Sequence, residues 1–575
     1  MIDPEDFFRN PKNLNQRRYE ALRAYILEKL PAVEVGTRFH FSTGYIRVLA
    51  TLFRQGRLPE FFADLPIGRR KAPQNMDLAE RILELRKQKQ SVYDIARKLT
   101  SDGHPISHNK VWTVLKEAGM DRLPKRKAAE KKVIPKLHPP VADVHEMNLT
   151  IGRSIPCQAP LLFLFAPLLV KLGFPDTVEK ARYPGSSMIR GSNFLLSLLS
   201  LKLLSRDRKN QVMHIAEEEA FGFFAGLNVL PKTTALSDYS FRTGPRPNRF
   251  LLEKFIEGRE RMRAYPSLSF NLDFHAIRHY GEPEKSFLEK DYVPRRSQSV
   301  PAVITAFAQE ERCREMVYSN ANILKNEKAD EVLRFVDFWK ETTKKIPEEL
   351  VFDCRMTTHK GLAKLDDRNI CFLTLRERRA KEIRRVQALP PESWTRVELD
   401  IEDRKWKTPR ILDERIEIPD FPGTIRQIAA LDLGREEPTF LLTNDTRRGA
   451  AALLNRYVRR THIENSISEQ VHFFHVDALS SSVRIKVDLD VVLSVVASGC
   501  YRWLARQLRG FENATAQTIW NNILNRPGSV LITKDEVVLK VRRFRFAPVL
   551  LESKVSSDST KIPWLGDRAI RLEIT

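Results

Sequence analysis

The hydrophobic pattern of the chain changes at Ser267, and this change restricts the possible folds more than any other feature. Before Ser267, apolar side chains recur at helical spacing, as in the run 194–204. After it, residues 268–274 alternate apolar and polar side chains as a half-buried strand does. Further strand patterns then alternate with a helical pattern at 326–341; they occur at 300–307, 314–318, 349–354 and 371–375. The chain is therefore predicted to be a multidomain α/β protein.

The length supports several domains, because 575 residues exceed the roughly 250–300 residues at which single cores stop growing. We predict four parts: an all-α helix-turn-helix region at 1–136, a helical linking domain at 137–266, a mixed α/β core at 267–510 with a β-rich insertion at about 380–445, and a β-rich C-terminal segment at 511–575.

The N-terminal region contains two patterns typical of helix-turn-helix modules. The first joins residues 25–30 to 41–49, with Ser42 placed to cap its second helix. The second contains an amphipathic helix at 76–89, a short helix capped by Ser91, and a further helix at 107–116.

The last helix of the second pattern has the residues expected of a recognition helix in a DNA major groove. Val111, Val114 and Leu115 would face inward. The residues that would face outward and contact DNA are His108, Asn109, Lys110 and Thr113. The net charge of +23 favours a polyanionic partner as well. The alternative is an ordinary three-helix module with a solvated basic face, followed by a basic linker at 122–132.

Several protein classes are disfavoured by what the sequence lacks. The five cysteines are scattered, with no spacing typical of a zinc site or a disulfide framework. The most apolar stretches, 160–169 and 491–500, are shorter than the roughly 20 residues of a membrane span. No signal peptide is recognisable at the N-terminus. We therefore expect a cytoplasmic protein without a membrane segment.

Three carboxylates occupy positions that suit chemistry on phosphate esters. Asp273 lies within one apolar strand pattern, Asp353 ends another, and Glu464 lies on a predicted helix that continues from Arg448 to about Phe474. A carboxylate in an apolar strand is costly to bury unless a cation compensates it. Taken singly, each acid is more often salt-bridged than metal-bound. The competing carboxylates are Asp330, Asp337, Asp366, Asp367, Glu469 and Asp490.

Three parts of the sequence resemble a known family, the IS4-like group of DDE transposases. Tyr457, Arg460 and Glu464 match the Y-x2-R-x3-E part of its Y-x2-R-x3-E-x6-K signature. The residues around Asp273 with 292–297, and those around Asp353 with 372–376, are similar to the first and second aspartate regions of that group. The similarity covers about residues 268–510.

The resemblance implies an RNase H-like core in which Asp273, Asp353 and Glu464 are catalytic and bind Mg²⁺ or Mn²⁺. Such an enzyme cleaves double-stranded DNA at the terminal inverted repeats of a bacterial insertion sequence. It joins the freed 3′-hydroxyl to target DNA, as a homodimer in a synaptic complex at the nucleoid. Tyr457 and Arg460 are expected to contact DNA.

One position departs from the family pattern, because the lysine of the signature corresponds to Val471. Lys486 or Arg484 would then have to replace it. Two alternatives remain open at this stage: a domesticated transposase that acts as a DNA-binding regulator, and an RNase H-like nuclease without strand transfer. His275 and His279 are expected to be structural or to contact DNA.

Overall fold

The computed structural model describes residues 11, 13–55, 76–88, 90–104, 106–120, 149–186, 188–206, 215, 218–239, 242–278, 290–293, 298–400, 407–434, 436–477 and 484–575. The protein is mixed α/β, as the sequence predicts, and it forms two compact units, Met1–Pro135 and Lys136–Thr575. The basic linker at 122–132, His279, Arg295 and Arg296 lie outside the described residues, as do the side chains of Arg484 and Lys486.

The described part of the first unit is helical. Its helices are α1 (Leu14–Ile26), α2 (Ala32–Phe39), α3 (Thr43–Arg54), α4 (Met76–Lys87), α5 (Val92–Ser101) and α6 (His108–Glu117). The predicted caps are confirmed: the Ser42 hydroxyl accepts a hydrogen bond from the Tyr45 amide, and Ser91 forms a capping box with Asp94. Helix α2 was not predicted.

A long sheet dominates the second unit. Its strands are β2 (Ser269–Arg278), β3 (Lys290–Val293), β4 (Gln298–Glu310), β5 (Met316–Asn320), β6 (Glu349–Phe352), β7 (Cys371–Leu375), β8 (Thr395–Arg396), β9 (Arg410–Glu417), β10 (Thr424–Leu431) and β11 (Thr439–Thr443). The order is β3-β4-β2-β6-β7-β11-β10-β9-β8. Strand β5 lies outside this order and pairs with β4. Strands β4 and β5, which match the predicted strand patterns at 300–307 and 314–318, form an antiparallel hairpin.

The sheet has a parallel centre and antiparallel flanks. Strand β6 lies parallel to both β2 and β7, whereas β2 with β4 and β7 with β11 are antiparallel. The predicted β-rich insertion at about 380–445 therefore extends the same sheet through β8–β11. Within this insertion, Ala380–Gln387 forms a helix that was not predicted, and β8 contains only Thr395 and Arg396.

The helices of the second unit pack around the sheet. They are α7 (Ala166–Lys171), α8 (Phe174–Lys180), α9 (Gly191–Leu203), α10 (Glu219–Phe224), α11 (Thr233–Tyr239), α12 (Pro245–Arg261), α13 (Glu331–Thr343), α14 (His359–Asp367), α15 (Ala380–Gln387), α16 (Ala450–Val458), α17 (Thr461–His472), α18 (Arg484–Gln507), α19 (Ala516–Ile519) and α20 (Ala547–Glu552). Helix α18 contributes a nearly continuous row of buried apolar residues, including Val495, Val496 and Leu504.

A second, smaller sheet joins the beginning and the end of this unit. Its strands are β1 (Ser154–Cys157), β12 (Gly528–Ile532), β13 (Glu536–Val541), β14 (Lys561–Ile562) and β15 (Arg568–Ile574). Strand β1 pairs with β12, and one hydrophobic core continues from Ile155 to Ile570. The predicted helical segment at 137–266 and the β-rich C-terminal segment thus share a core with the long sheet.

No single helix among the described residues is long and apolar enough to cross a membrane. One bent pair, Pro160–Lys171 with Phe174–Lys180, satisfies the same length and composition criterion with a bend of 57°. The first of these segments is almost wholly buried in the hydrophobic core, because Leu161, Phe163 and Phe165 are fully enclosed.

Candidate active site

Asp273 lies in the middle of β2, on the polar face of that strand. The alternation of β2 puts Phe270 and Leu272 into the hydrophobic core, while Asn271 and Asp273 share the opposite face. The Asp273 side chain is 21% exposed, so its carboxylate remains accessible at the edge of buried structure.

Asp353 follows the last residue of β6. The parallel register pairs Asn271 with Val351, and the same register continued by two residues brings Asp353 beside Asp273. The Asp353 carboxylate caps the short turn Cys354–Met356 and accepts a hydrogen bond from the Arg355 amide at 3.2 Å. The two aspartates therefore come from adjacent parallel strands.

Glu464 lies in the first turn of α17, where the partial positive charge of the helix N-terminus favours a carboxylate. The prediction of a single helix from Arg448 to Phe474 is wrong, because one helix ends at Val458 and the next begins at Thr461. Tyr457, Arg460, Glu464 and Val471 therefore do not lie on one continuous helical face. The break places Arg460 at the N-cap of α17.

Arg460 joins two of the three acids. Its Nη1 donates to Asp273 Oδ2 at 2.8 Å and its Nη2 to Glu464 Oε1 at 3.0 Å. The Tyr457 ring lies beside it, with the ring centroid 5.7 Å from the guanidinium carbon. The Arg460 side chain is only 12% exposed, so the guanidinium is held between the two carboxylates with little access to water.

Electrostatic interactions link Asp273 and Glu464 to each other and to Asp353. Burial raises the pKa of Asp273, Arg460 lowers it, and the charge of Asp353 raises it further; the net shift is upward. Burial also raises the pKa of Glu464, as do Asp273 and Asp353. Ionisation of one carboxyl group thus makes ionisation of its neighbours less favourable, and a bound cation would relieve this repulsion.

The chemistry of this donor set fits a hard divalent cation, since Mg²⁺ and Mn²⁺ prefer carboxylate oxygens. In the part of the chain that the structure describes, however, no three His, Cys, Asp or Glu side chains form a ready coordination cluster. Arg460 gives a physical reason, because its guanidinium engages the Asp273 and Glu464 oxygens that would bind the ion.

Other predicted site residues have ordinary partners. His275, on the same face of β2 as Asp273, hydrogen-bonds through its Nε2 to Asp477 at 2.6 Å. Several competing carboxylates lie in ion pairs: Asp337 with Arg368, Glu469 with Arg502, and Asp490 with Lys202. Val471, at the position of the family lysine, is half-buried.

The predicted recognition helix has the expected faces. Val111, Val114 and Leu115 are buried. The outward residues His108, Asn109, Lys110 and Thr113 are all exposed. The Thr113 hydroxyl donates to the Asn109 carbonyl at 2.9 Å, and His108 contacts the Tyr93 ring.

A buried polar network beneath the acids was not predicted from the sequence. Arg456 and Gln309 are its two main members, and both are almost completely buried. A signal existed for part of it, because Ser269 and Asn271 recur at the spacing of Asp273 on β2. Gln309 carried no such signal, since a single glutamine in an apolar strand predicts no particular partner.

No known protein-family model matches the chain, and no curated protein matches it in sequence. The functional assignment therefore rests on the residues of this chain and on their arrangement.

Proposed function

We propose that the protein is a DNA transposase that cleaves the ends of a mobile element and joins them to target DNA. The observation that carries this proposal is the Arg460 guanidinium bound between Asp273 and Glu464, with Asp353 near enough to interact electrostatically with both carboxylates. Two strand-borne aspartates and one helix-borne glutamate, each coupled to the others, form the donor set that metal-dependent phosphoryl transfer on DNA requires.

The topology around the acids supports an RNase H-like core. Strands β5, β4 and β2 form an antiparallel meander, and β6 and β7 continue from β2 in parallel. In this arrangement the first aspartate lies on the central strand and the second at the end of its parallel neighbour. Helix α17, which packs against β2 and β4, supplies the glutamate.

Asp273, Asp353 and Glu464 would hold the divalent ions, which supply Lewis-acid activation of the attacking oxygen and stabilisation of the leaving oxygen. Arg460 and Tyr457 would contact the DNA next to the scissile bond. A guanidinium released from Asp273 and Glu464 presents two parallel N–H donors to a phosphate, and the Tyr457 ring beside it offers a face for stacking.

The first unit would bind the terminal inverted repeats. Its exposed residues His108, Asn109 and Lys110 occupy the first turn of α6, the part of a recognition helix that contacts base edges. The net charge of +23 supports binding to DNA phosphates as a whole. Pairing of two element ends would require a homodimer in the synaptic complex.

Cleavage of a supercoiled plasmid that carries the coding sequence with its native flanking DNA tests this function. Wild-type protein with Mg²⁺ should release the segment and form strand-joined products, whereas Asp273→Asn should bind the DNA equally well and lose cleavage by at least about a thousandfold. Asp337→Asn is the matched control, because Asp337 is an exposed carboxylate paired with Arg368 away from the site.

Val471 favours one second candidate, a domesticated transposase that binds DNA without cutting it, because the family lysine is absent there. Specific binding without cleavage in Mg²⁺ or Mn²⁺ would contradict the enzyme and support this regulator. Cleavage without any strand-joined product would instead identify an RNase H-like nuclease.

A further inference from the structure

A continuous chain of buried hydrogen bonds connects the elements that carry the three acids. Strand β2 contributes Ser269 and Asn271, strand β6 contributes Glu349, and helix α17 contributes Ser466. Gln309 on β4 and Arg456 on α16 lie between these elements. None of these residues belongs to the three acids or to the motif by which the site was predicted.

Arg456 forms the junction between the two aspartate-bearing strands. Its Nε donates to Glu349 Oε2 at 2.6 Å, its Nη2 to Ser269 Oγ at 2.9 Å, and its Nη1 to Asn271 Oδ1 at 2.9 Å. Glu349 begins β6 four residues before Asp353, and Asn271 lies two residues before Asp273. One guanidinium therefore fixes β2 and β6 to each other and to α16.

Gln309 forms the second junction, between β2 and the glutamate-bearing helix. Its Oε1 accepts from Asn271 Nδ2 at 3.3 Å, and its Nε2 donates to Ser466 Oγ at 2.5 Å and to the His462 carbonyl at 3.2 Å. Gln309 and Asn271 are 0% exposed, so water cannot replace either partner without opening the core. The acceptors on α17 lie two residues on either side of Glu464.

We propose that Gln309 and Arg456 are positioning residues that set the separation of Asp273, Asp353 and Glu464. Among the residues that the structure describes, no backbone hydrogen bond joins α17 to β2, whereas this network connects them through side chains of defined geometry. This inference rests on the proposed function, because it matters only if the acids share a bound cation.

Mn²⁺ binding by the full-length protein without DNA, measured by electron paramagnetic resonance, tests the proposal separately from catalysis. Gln309→Met keeps the side-chain volume but removes every hydrogen bond of the Gln309 amide, and it should weaken Mn²⁺ binding by roughly tenfold or more. Ser466→Ala removes a single acceptor and should weaken binding by a smaller factor. Arg456→Lys retains the positive charge but loses the planar set of guanidinium N–H donors, so this variant should also bind Mn²⁺ less tightly.

Gln427→Met is the matched control. Gln427 is also 0% exposed on a strand of the same sheet and hydrogen-bonds to Glu382 and Glu414, but it lies on β10. Thermal unfolding of each variant measures how much stability is lost. The proposal predicts a loss of Mn²⁺ affinity for Gln309→Met and wild-type affinity for Gln427→Met at a comparable loss of stability.

Wild-type Mn²⁺ affinity in folded Gln309→Met and Ser466→Ala proteins would overturn the proposal, because the network would then be structural only. An Asp273→Asn variant that binds Mn²⁺ as tightly as the wild-type protein would lead to a different conclusion. It would refute the proposed metal site itself, and the positioning role would fall with it.

Discussion

At the scale of single residues, the site depends on how three carboxylates tolerate each other's charge. Arg460 compensates two of them directly, but burial and the neighbouring carboxylates still raise the pKa values of Asp273 and Glu464. A divalent cation would therefore compete with Arg460 for the same oxygens. DNA phosphate would in turn compete with the carboxylates for Arg460.

This competition leads to a prediction for Arg460→Gln. Removing a positive charge roughly 4 Å from a divalent cation relieves repulsion of at least about 2 kcal/mol, so Mn²⁺ should bind at least about tenfold more tightly without DNA. Cleavage should nevertheless fall, since the guanidinium no longer contacts the DNA. Calorimetric titration of Mn²⁺ and single-turnover cleavage measure the two effects. Weaker Mn²⁺ binding in Arg460→Gln would contradict this view of the site.

At the scale of the elements, α18 contains a buried carboxyl group outside the site. Asp488 accepts a hydrogen bond from Asn248 Nδ2 at 2.7 Å, and burial raises its pKa from 3.8 to about 6. Its folded-state pKa exceeds its unfolded-state value. The stability that this group contributes is therefore present below about pH 4 and is lost as the pH rises through about 6.

Asp488→Asn should remove this pH dependence. The variant keeps an oxygen for Asn248 and carries no charge to bury. As the pH rises from 4 to 8, the wild-type free energy of unfolding should therefore fall by about 2–3 kcal/mol relative to that of the variant. Urea denaturation of both proteins at the two pH values measures the difference. An equal pH dependence in both proteins would show that Asp488 titrates normally.

Much of the element structure could be predicted from the sequence, because local patterns determine it. Strand alternation located β2, β4 and β5, and hydroxyl caps located the helices that begin after Ser42 and Ser91. The break before α17 could not be predicted, since Arg459 and Arg460 are good helix formers and no Gly or Pro marks the interruption. The three acids were predictable from strand context and motif spacing, but the Arg460 bridge and the Gln309 network depend on contacts between distant segments.

At the scale of the whole molecule, the charge of +23 should make DNA binding strongly dependent on salt. Lys110 is exposed at the start of α6, so Lys110→Ala should reduce the slope of log affinity against log salt by about one if this lysine contacts a phosphate. Lys340→Ala, which removes an exposed lysine on α13, is the control. Fluorescence anisotropy with element-end DNA measures both slopes, and identical slopes would exclude Lys110 as a phosphate contact.

The two units are expected to divide recognition and chemistry between them. The first unit offers an exposed polar helix face, and the second contains the acids together with the network that supports them. Substitutions in α6 should therefore change DNA affinity without changing cation affinity. Substitutions at the acids should do the reverse.

The most direct test of the account is a Mn²⁺ titration of the wild-type protein beside Asp273→Asn, Asp353→Asn and Glu464→Gln, followed by electron paramagnetic resonance. The account predicts that every one of the three substitutions weakens binding at the same site while the protein remains folded. Undiminished Mn²⁺ binding in any one folded variant would show that its carboxylate does not share the cation, and would contradict the central claim.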